Sequence, residues 1–90
     1  MRESALDRAI KRHLDSVPNL YHWKTTGCAQ AGVPDRVICF QGRFIGLEVK
    51  APGNDASKPQ LRQLELIRRA GGVAAVVRSV DDVRRIVPRS

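Results

Sequence analysis

Residues 43–50 alternate in character with a period of two. Ile45, Leu47 and Val49 fall on one side, and Phe44, Gly46, Glu48 and Lys50 on the other, as on a β-strand with one apolar face. Upstream, Leu6, Ile10 and Leu14 recur at helical spacing with Ala9 and His13 beside them, which predicts an amphipathic helix from about Glu3 to Ser16. Val17-Pro18-Asn19 ends it. Leu20 to Thr26 reads as a strand in which Tyr21, Trp23 and Thr25 alternate with His22, Lys24 and Thr26. A loop over 27–32 leads into a further strand, Asp35 to Phe40. Ser57-Lys58-Pro59-Gln60 has the form of a capping box and opens a helix to about Ala70, where Gly71-Gly72 stops it. Val73 to Arg78 is an apolar run with the length of a buried strand, and Ser79-x-x-Asp82 caps a short last helix. The order is α-β-β-β-α-β-α. Its strand–helix–strand unit from Arg43 to Arg78 calls for a parallel crossover beside an antiparallel hairpin.

The hairpin places two carboxylates together. A two-residue turn at Gln41-Gly42 pairs Phe40 with Arg43 and, counting outward, Asp35 with Glu48. Partners on an antiparallel pair point to the same face with Cβ atoms about 4.5–5.5 Å apart. Gln is a poor first residue for a type I′ turn, and a bulged three-residue loop would shift the register by one. Two readings of the acid pair follow: an exposed pair neutralised by Lys50, or a pair that binds a divalent cation through hard oxygen ligands. Glu3 lies at the start of the inward stripe of the first helix. It either favours the helix N-terminal dipole or points into a polar site at that end of the core.

The chain is strongly basic. Sixteen Lys and Arg against nine Asp and Glu give a formal net charge of +7 and a pI of about 10.5, a balance that attracts polyanions, nucleic acid first. Acid ligands on so basic a surface point to phosphodiester chemistry at Mg²⁺ or Mn²⁺, with Lys50 beside the metal positioning a water or stabilising the phosphate. The competing readings are a non-catalytic DNA-binding module and a basic scaffold. Only Tyr21, Trp23, Phe40 and Phe44 are aromatic, so base-stacking platforms are scarce. His13, His22, Cys28 and Cys39 lack paired zinc-ligand spacing. The two cysteines are expected as reduced thiols, Cys39 buried in its strand. With no long apolar run and no signal-peptide core, the expectation is a cytoplasmic protein. Ninety residues make a single domain, 1–90, with a modest core that a homodimer would supplement.

These residues carry a resemblance. Pro34-Asp35 followed by Glu48-Val49-Lys50 resembles the PD-(D/E)-x-K nuclease signature, and more closely its VRR-NUC branch, the virus-type replication-repair nucleases. Gly32-Val33-Pro34-Asp35-Arg36 is similar to that branch's G-x-P-D segment, residues 44–51 to its E-x-K strand, and Ser57-x-x-Gln60 with Leu64 and Gly71-Gly72 to its following helix. The likeness runs from Glu3 to about Val87. It implies a mixed α/β fold: a restriction-endonuclease-like αβββαβ core with a mixed four-stranded sheet flanked by helices and a short C-terminal helix. It implies Asp35 and Glu48 as ligands of Mg²⁺ or Mn²⁺, with the Val49 carbonyl oxygen completing the protein side. Lys50 becomes the catalytic lysine, Glu3 the acid that holds metal-bound water, and Gln60 a residue that orients Lys50 or the water, beside its capping role. Lys24, Arg36, Lys58 and Arg62 are the expected DNA contacts. The implied activity is a structure-selective endonuclease on branched DNA, four-way (Holliday) junctions above all, acting as a homodimer in DNA repair. A flap or nicking nuclease is the alternative within the family.

Overall fold

The computed structural model describes residues 2–89. Helix α1 spans Glu3–Ser16, followed by strands β1 (Leu20–Lys24), β2 (Arg36–Phe40) and β3 (Arg43–Val49), helix α2 (Lys58–Arg69), strand β4 (Val73–Val77) and helix α3 (Val80–Ile86). The strands form one sheet in the order β1-β2-β3-β4. The pairs β1–β2 and β2–β3 are antiparallel, and β3–β4 is parallel. This is the expected mixed sheet with a crossover through α2. Strand β1 stops two residues earlier than its alternation predicts. The Thr25 N–H turns to the Asp35 carbonyl, and the Cys28 N–H closes a turn on the Thr25 carbonyl.

The β2–β3 turn is the two-residue form. Phe40 pairs with Arg43, and the register continues to Arg36 opposite Leu47. Gln41 takes φ 53° and Gly42 φ 75°, the positive values that a type I′ turn demands of both central residues. Gln41 therefore accepts a left-handed backbone that its side chain disfavours, and the strand pairing on either side holds it there.

Helices α1 and α3 cover one face of the sheet, and α2 covers part of the other. Leu6, Ile10 and Leu14 of α1 pack with Ile38, Ile45, Leu47, Val49 and Val77 from the strands and with Val83 and Val87 from the C-terminal segment. Strand β3 is buried on both faces, because α2 lies over it as well. Gly46 makes that contact close: a Cβ there would sit 2.8 Å from Ile67 Cδ1 and 2.9 Å from Pro34 Cγ. The predicted caps are both formed. Ser57 Oγ accepts from the Gln60 N–H while Gln60 Oε1 accepts from the Ser57 N–H, and Ser79 Oγ accepts from the Asp82 N–H.

Helix α2 contacts β3 and β4 but neither β1 nor β2. The β1–β2 half of that sheet face is left uncovered, which corrects one expectation. Cys39 is exposed, because its side chain falls on the bare half-face and not in the core. His22 and Lys24 lie on the side of β1 nearer α1, His22 partly buried and Lys24 half-exposed. They turn toward α1, where His22 Nε2 meets Asp15 Oδ1 at 2.7 Å and Lys24 Nζ meets Asp7 Oδ2 at 3.1 Å. The aromatic side of β1 is the outward one. Among the described residues no helix is long and apolar enough to cross a membrane.

Candidate active site at the end of the β2–β3 hairpin

Three chain segments converge where β1 ends, β2 begins and β3 ends. The segment before β2 is held by its neighbours on both sides. Gly32, at φ 75°, packs so closely on the start of α2 that a Cβ would lie 2.7 Å from the Pro59 carbonyl carbon and oxygen. Pro34 lies over Gly46. Thr25 Oγ1 donates to the Pro34 carbonyl at 2.6 Å, and the Thr25 N–H donates to the Asp35 carbonyl at 3.0 Å. Asp35 enters β2 with its backbone fixed, and its Oδ2 accepts the Val49 N–H at 2.7 Å. One carboxylate oxygen thus ties the two strands of the hairpin together at the site.

Glu48 follows Leu47 and Asp35 precedes Arg36, the last paired residues of the ladder, so the two acids adjoin at its end, close enough for the Asp35 charge to act on Glu48. Its side chain is 1% exposed, and its Oε1 has no hydrogen-bond partner among the described residues. Lys50 Nζ lies 3.7 Å from the other oxygen, Oε2. Burial pushes the Glu48 carboxyl up to about 8; the Asp35 charge and a hydrogen bond with Asp35 add to the rise, Lys50 opposes it, and Glu3 adds a smaller push. The acid pair is therefore a desolvated, mutually repelling dyad, and the reading of an exposed, harmless pair does not survive. One protein cation at 3.7 Å leaves it under-neutralised. The donor set fits a hard divalent cation: two carboxylates, one with an unpartnered buried oxygen, on a strand whose next carbonyl belongs to Val49. Among the described residues no three His, Cys, Asp or Glu side chains gather as a ready-made cluster, so such an ion would take its remaining ligands from water and substrate.

Glu3 is exposed in the first turn of α1 and lines a small cavity of about 220 Å³ with Ser4, Asp7, Lys24, Asp35 and Val49. The structure thus places Glu3 on the wall of the cavity that Asp35 lines, within electrostatic reach of Glu48 but not in a three-acid cluster with it. Asp7, one turn further along α1, was not singled out from the sequence, although its position four residues after Glu3 puts it on the same helix face. It accepts two hydrogen bonds from Arg36, at 2.9 and 3.0 Å, and one from Lys24. Burial raises the Asp7 carboxyl, but the hydrogen bonds from Arg36 and Lys24 more than reverse this and hold it below the usual range. Asp7 clamps the last residue of β1 and the first of β2 to α1, directly beside Asp35. Arg36 is 3% exposed, and its guanidinium is turned inward onto Asp7 through Nε and Nη2.

Similarity to known structures agrees with this geometry. One solved structure, described as a "VRR_NUC domain", is similar to this chain with a TM-score of 0.79 and 23% identity, over 94% of this chain and 92% of its own. A second, a "VRR_NUC domain protein", has a TM-score of 0.77 and 19% identity, over 97% and 85%. This chain has the VRR-NUC fold. No protein-family model and no curated protein matches the sequence, so the likeness is carried by the backbone. In this VRR-NUC fold Gln60 is half-buried at the start of α2, with its Oε1 spent on the cap. Of the expected DNA contacts, Lys58 and Arg62 are exposed on α2, whereas Lys24 is paired with Asp7.

Proposed function

We propose that the protein is a Mg²⁺- or Mn²⁺-dependent endonuclease that hydrolyses phosphodiester bonds in branched DNA. The observation that carries the reading is the Asp35–Glu48 dyad with its buried, unpartnered Oε1 and Lys50 at 3.7 Å, at the end of a VRR-NUC hairpin on a chain of net charge +7. Asp35, Glu48 and the Val49 carbonyl oxygen would hold the cation, which supplies charge stabilisation and a more acidic water. Hydrolysis forms a bond from a water oxygen to phosphorus and breaks the bond to the leaving oxygen, which takes up a proton. Lys50 sits where its ammonium offsets the charge that builds on the phosphoryl oxygens. Glu3 orients water at the mouth of the site. Gln60 contributes through its amide nitrogen, since its oxygen is held by the cap. Lys58 and Arg62 meet the backbone of the bound strand.

A homodimer supports substrate choice by shape. The uncovered half-face carries Tyr21, Trp23, Val37, Cys39 and Phe44 with no charged side chain among them. Tyr21 is 67% exposed, and Trp23 and Phe44 are each 48% exposed. The three rings alone offer on the order of 300 Å² of apolar surface, a substantial part of the roughly 800 Å² per partner of a stable interface. Apolar, aromatic and charge-depleted, this patch fits a second copy of the chain better than a phosphate backbone. A two-fold pair would present two sites to a four-way junction.

The test of the activity is a panel of labelled duplex, flap, splayed-arm and four-way DNAs, with and without Mn²⁺. Metal-dependent nicking that favours the four-way substrate and disappears in Asp35→Ala and Lys50→Ala is expected. Binding without cleavage under every metal tried would remove the nuclease reading. For the dimer, thiol labelling supplies an internal control. Cys39 should become protected as protein concentration rises while Cys28, in the loop after β1, stays reactive. Equal reactivity of both at all concentrations would place the interface elsewhere.

A further inference from the structure

Helices α1 and α3 meet over the core, and their outer edges leave a groove of about 670 Å³ lined by Arg12, His13, Ser16, Arg84 and Arg89, with no carboxylate in its walls among the described residues. Its floor is built. His13 is 8% exposed, and its Nε2 bonds the Val87 carbonyl at 2.8 Å, which ties α1 to the C-terminal segment under the groove. The charge in it is poorly compensated. Arg12 and Arg89 have no carboxylate at ion-pair distance among the described residues, and Arg84 spends one nitrogen on Asp81 at 2.6 Å. Many exposed cations elsewhere do have an acid: Lys11 has Asp15, Arg69 has Glu65, Arg85 has Asp82 and Arg78 has Asp55. Three guanidinium groups around a concave, low-dielectric surface focus positive potential and offer planar forks to phosphate oxygens.

We propose that this groove is a second nucleic-acid contact, which holds the phosphate backbone of an arm that extends beyond the catalytic end. The proposal rests on nucleic acid being the ligand of that end. Arg12 lies nine residues along α1 from Glu3, or about 13–14 Å at the helical rise. That span matches about four phosphates along one strand. The groove and the acid pair thus lie at opposite ends of the same helix, and α1 is the ruler between the cleaved bond and the held arm. Lys58 and Arg62 of α2 lie over the other face of the sheet, so the groove is a separate contact.

The experiment is the salt dependence of binding to a labelled duplex long enough to reach both ends, measured by anisotropy in EDTA so that no cleavage intervenes. Removing two phosphate contacts with Arg12→Gln/Arg89→Gln should lower the slope of log K against log salt by about 1.8. Lys11→Gln/Arg69→Gln removes the same charge outside the groove and should leave the slope almost unchanged. Arg12→Lys/Arg89→Lys keeps the charge and should restore the slope, which separates a lost contact from a damaged fold. An unchanged slope in the groove variant, or an equal fall in the control pair, would overturn the proposal. Inorganic phosphate that occupies the groove while leaving duplex affinity and slope unchanged at constant ionic strength would also overturn it, because the groove would then be a small-anion site. Groove-dependent binding without cleavage under any metal would leave this inference standing and remove the nuclease reading; intact cleavage with an indifferent slope would do the reverse.

Discussion

Glu48→Gln tests the electrostatics of the site without requiring any substrate. In the metal-free protein the folded state holds the Glu48 carboxyl at about 8, against an ordinary value of 4.5. Between those two values the unfolded chain has lost a proton that the folded chain keeps. Stability must then fall as pH rises through this window and level off above about pH 8. The whole rise corresponds to on the order of 5 kcal/mol. A domain of this size has a total stability of only about 5–13 kcal/mol, so the metal-free protein should be markedly weakened at alkaline pH. Glutamine cannot ionise, and its amide nitrogen can donate to Asp35. Urea denaturation in EDTA, followed by circular dichroism, should show wild-type stability declining from about pH 5 to pH 8. The variant should be nearly flat, matching wild type at the acid end and exceeding it by several kcal/mol at the alkaline end. Mg²⁺ should restore the wild type at high pH and do little for the variant. The depressed Asp7 has the opposite sign: its stabilisation is lost as pH falls through its low value, below this window. A wild-type profile that is level or rising from pH 5 to pH 8, or a variant with the same slope as wild type, would refute the buried-dyad picture.

Asp35→Asn should abolish cleavage yet leave the metal-free fold as stable as wild type or more so, because Oδ1 can still accept the Val49 N–H. Asp35→Ala strands that N–H and should cost about 1–3 kcal/mol in the same denaturation assay. Asp7→Ala leaves Arg36 buried without its counter-charge and should destabilise by roughly 3–5 kcal/mol, with Asp7→Asn recovering part of the loss. Gln60→Glu keeps an oxygen for the cap, so thermal stability should hold within about 0.5 kcal/mol. A fall in single-turnover cleavage by that variant would assign the amide nitrogen a role beyond the cap, and unchanged turnover would confine Gln60 to the cap.

Local pattern determined most of the architecture. The element order, both helix caps and the β2–β3 register were legible because period-two alternation, capping boxes and a two-residue turn are properties of neighbouring residues. The VRR-NUC fold was legible for the same reason: the ordered set from Gly32 to Gly72 combines local signals. Which side of β1 and β2 meets solvent was not legible. The alternation in β1 separates Tyr21 and Trp23 from His22 and Lys24, but it cannot say that α1 takes the polar side while α2 stops short of β1 and β2. That choice exposed Cys39, gathered three of the four aromatics on one bare face, and paired Lys24 and Arg36 with Asp7. The Arg12–Arg84–Arg89 groove had no sequence signal, since its two walls lie about seventy residues apart. Burial and ion pairing across such distances depend on how the helices dock on the sheet, which no run of neighbouring residues encodes.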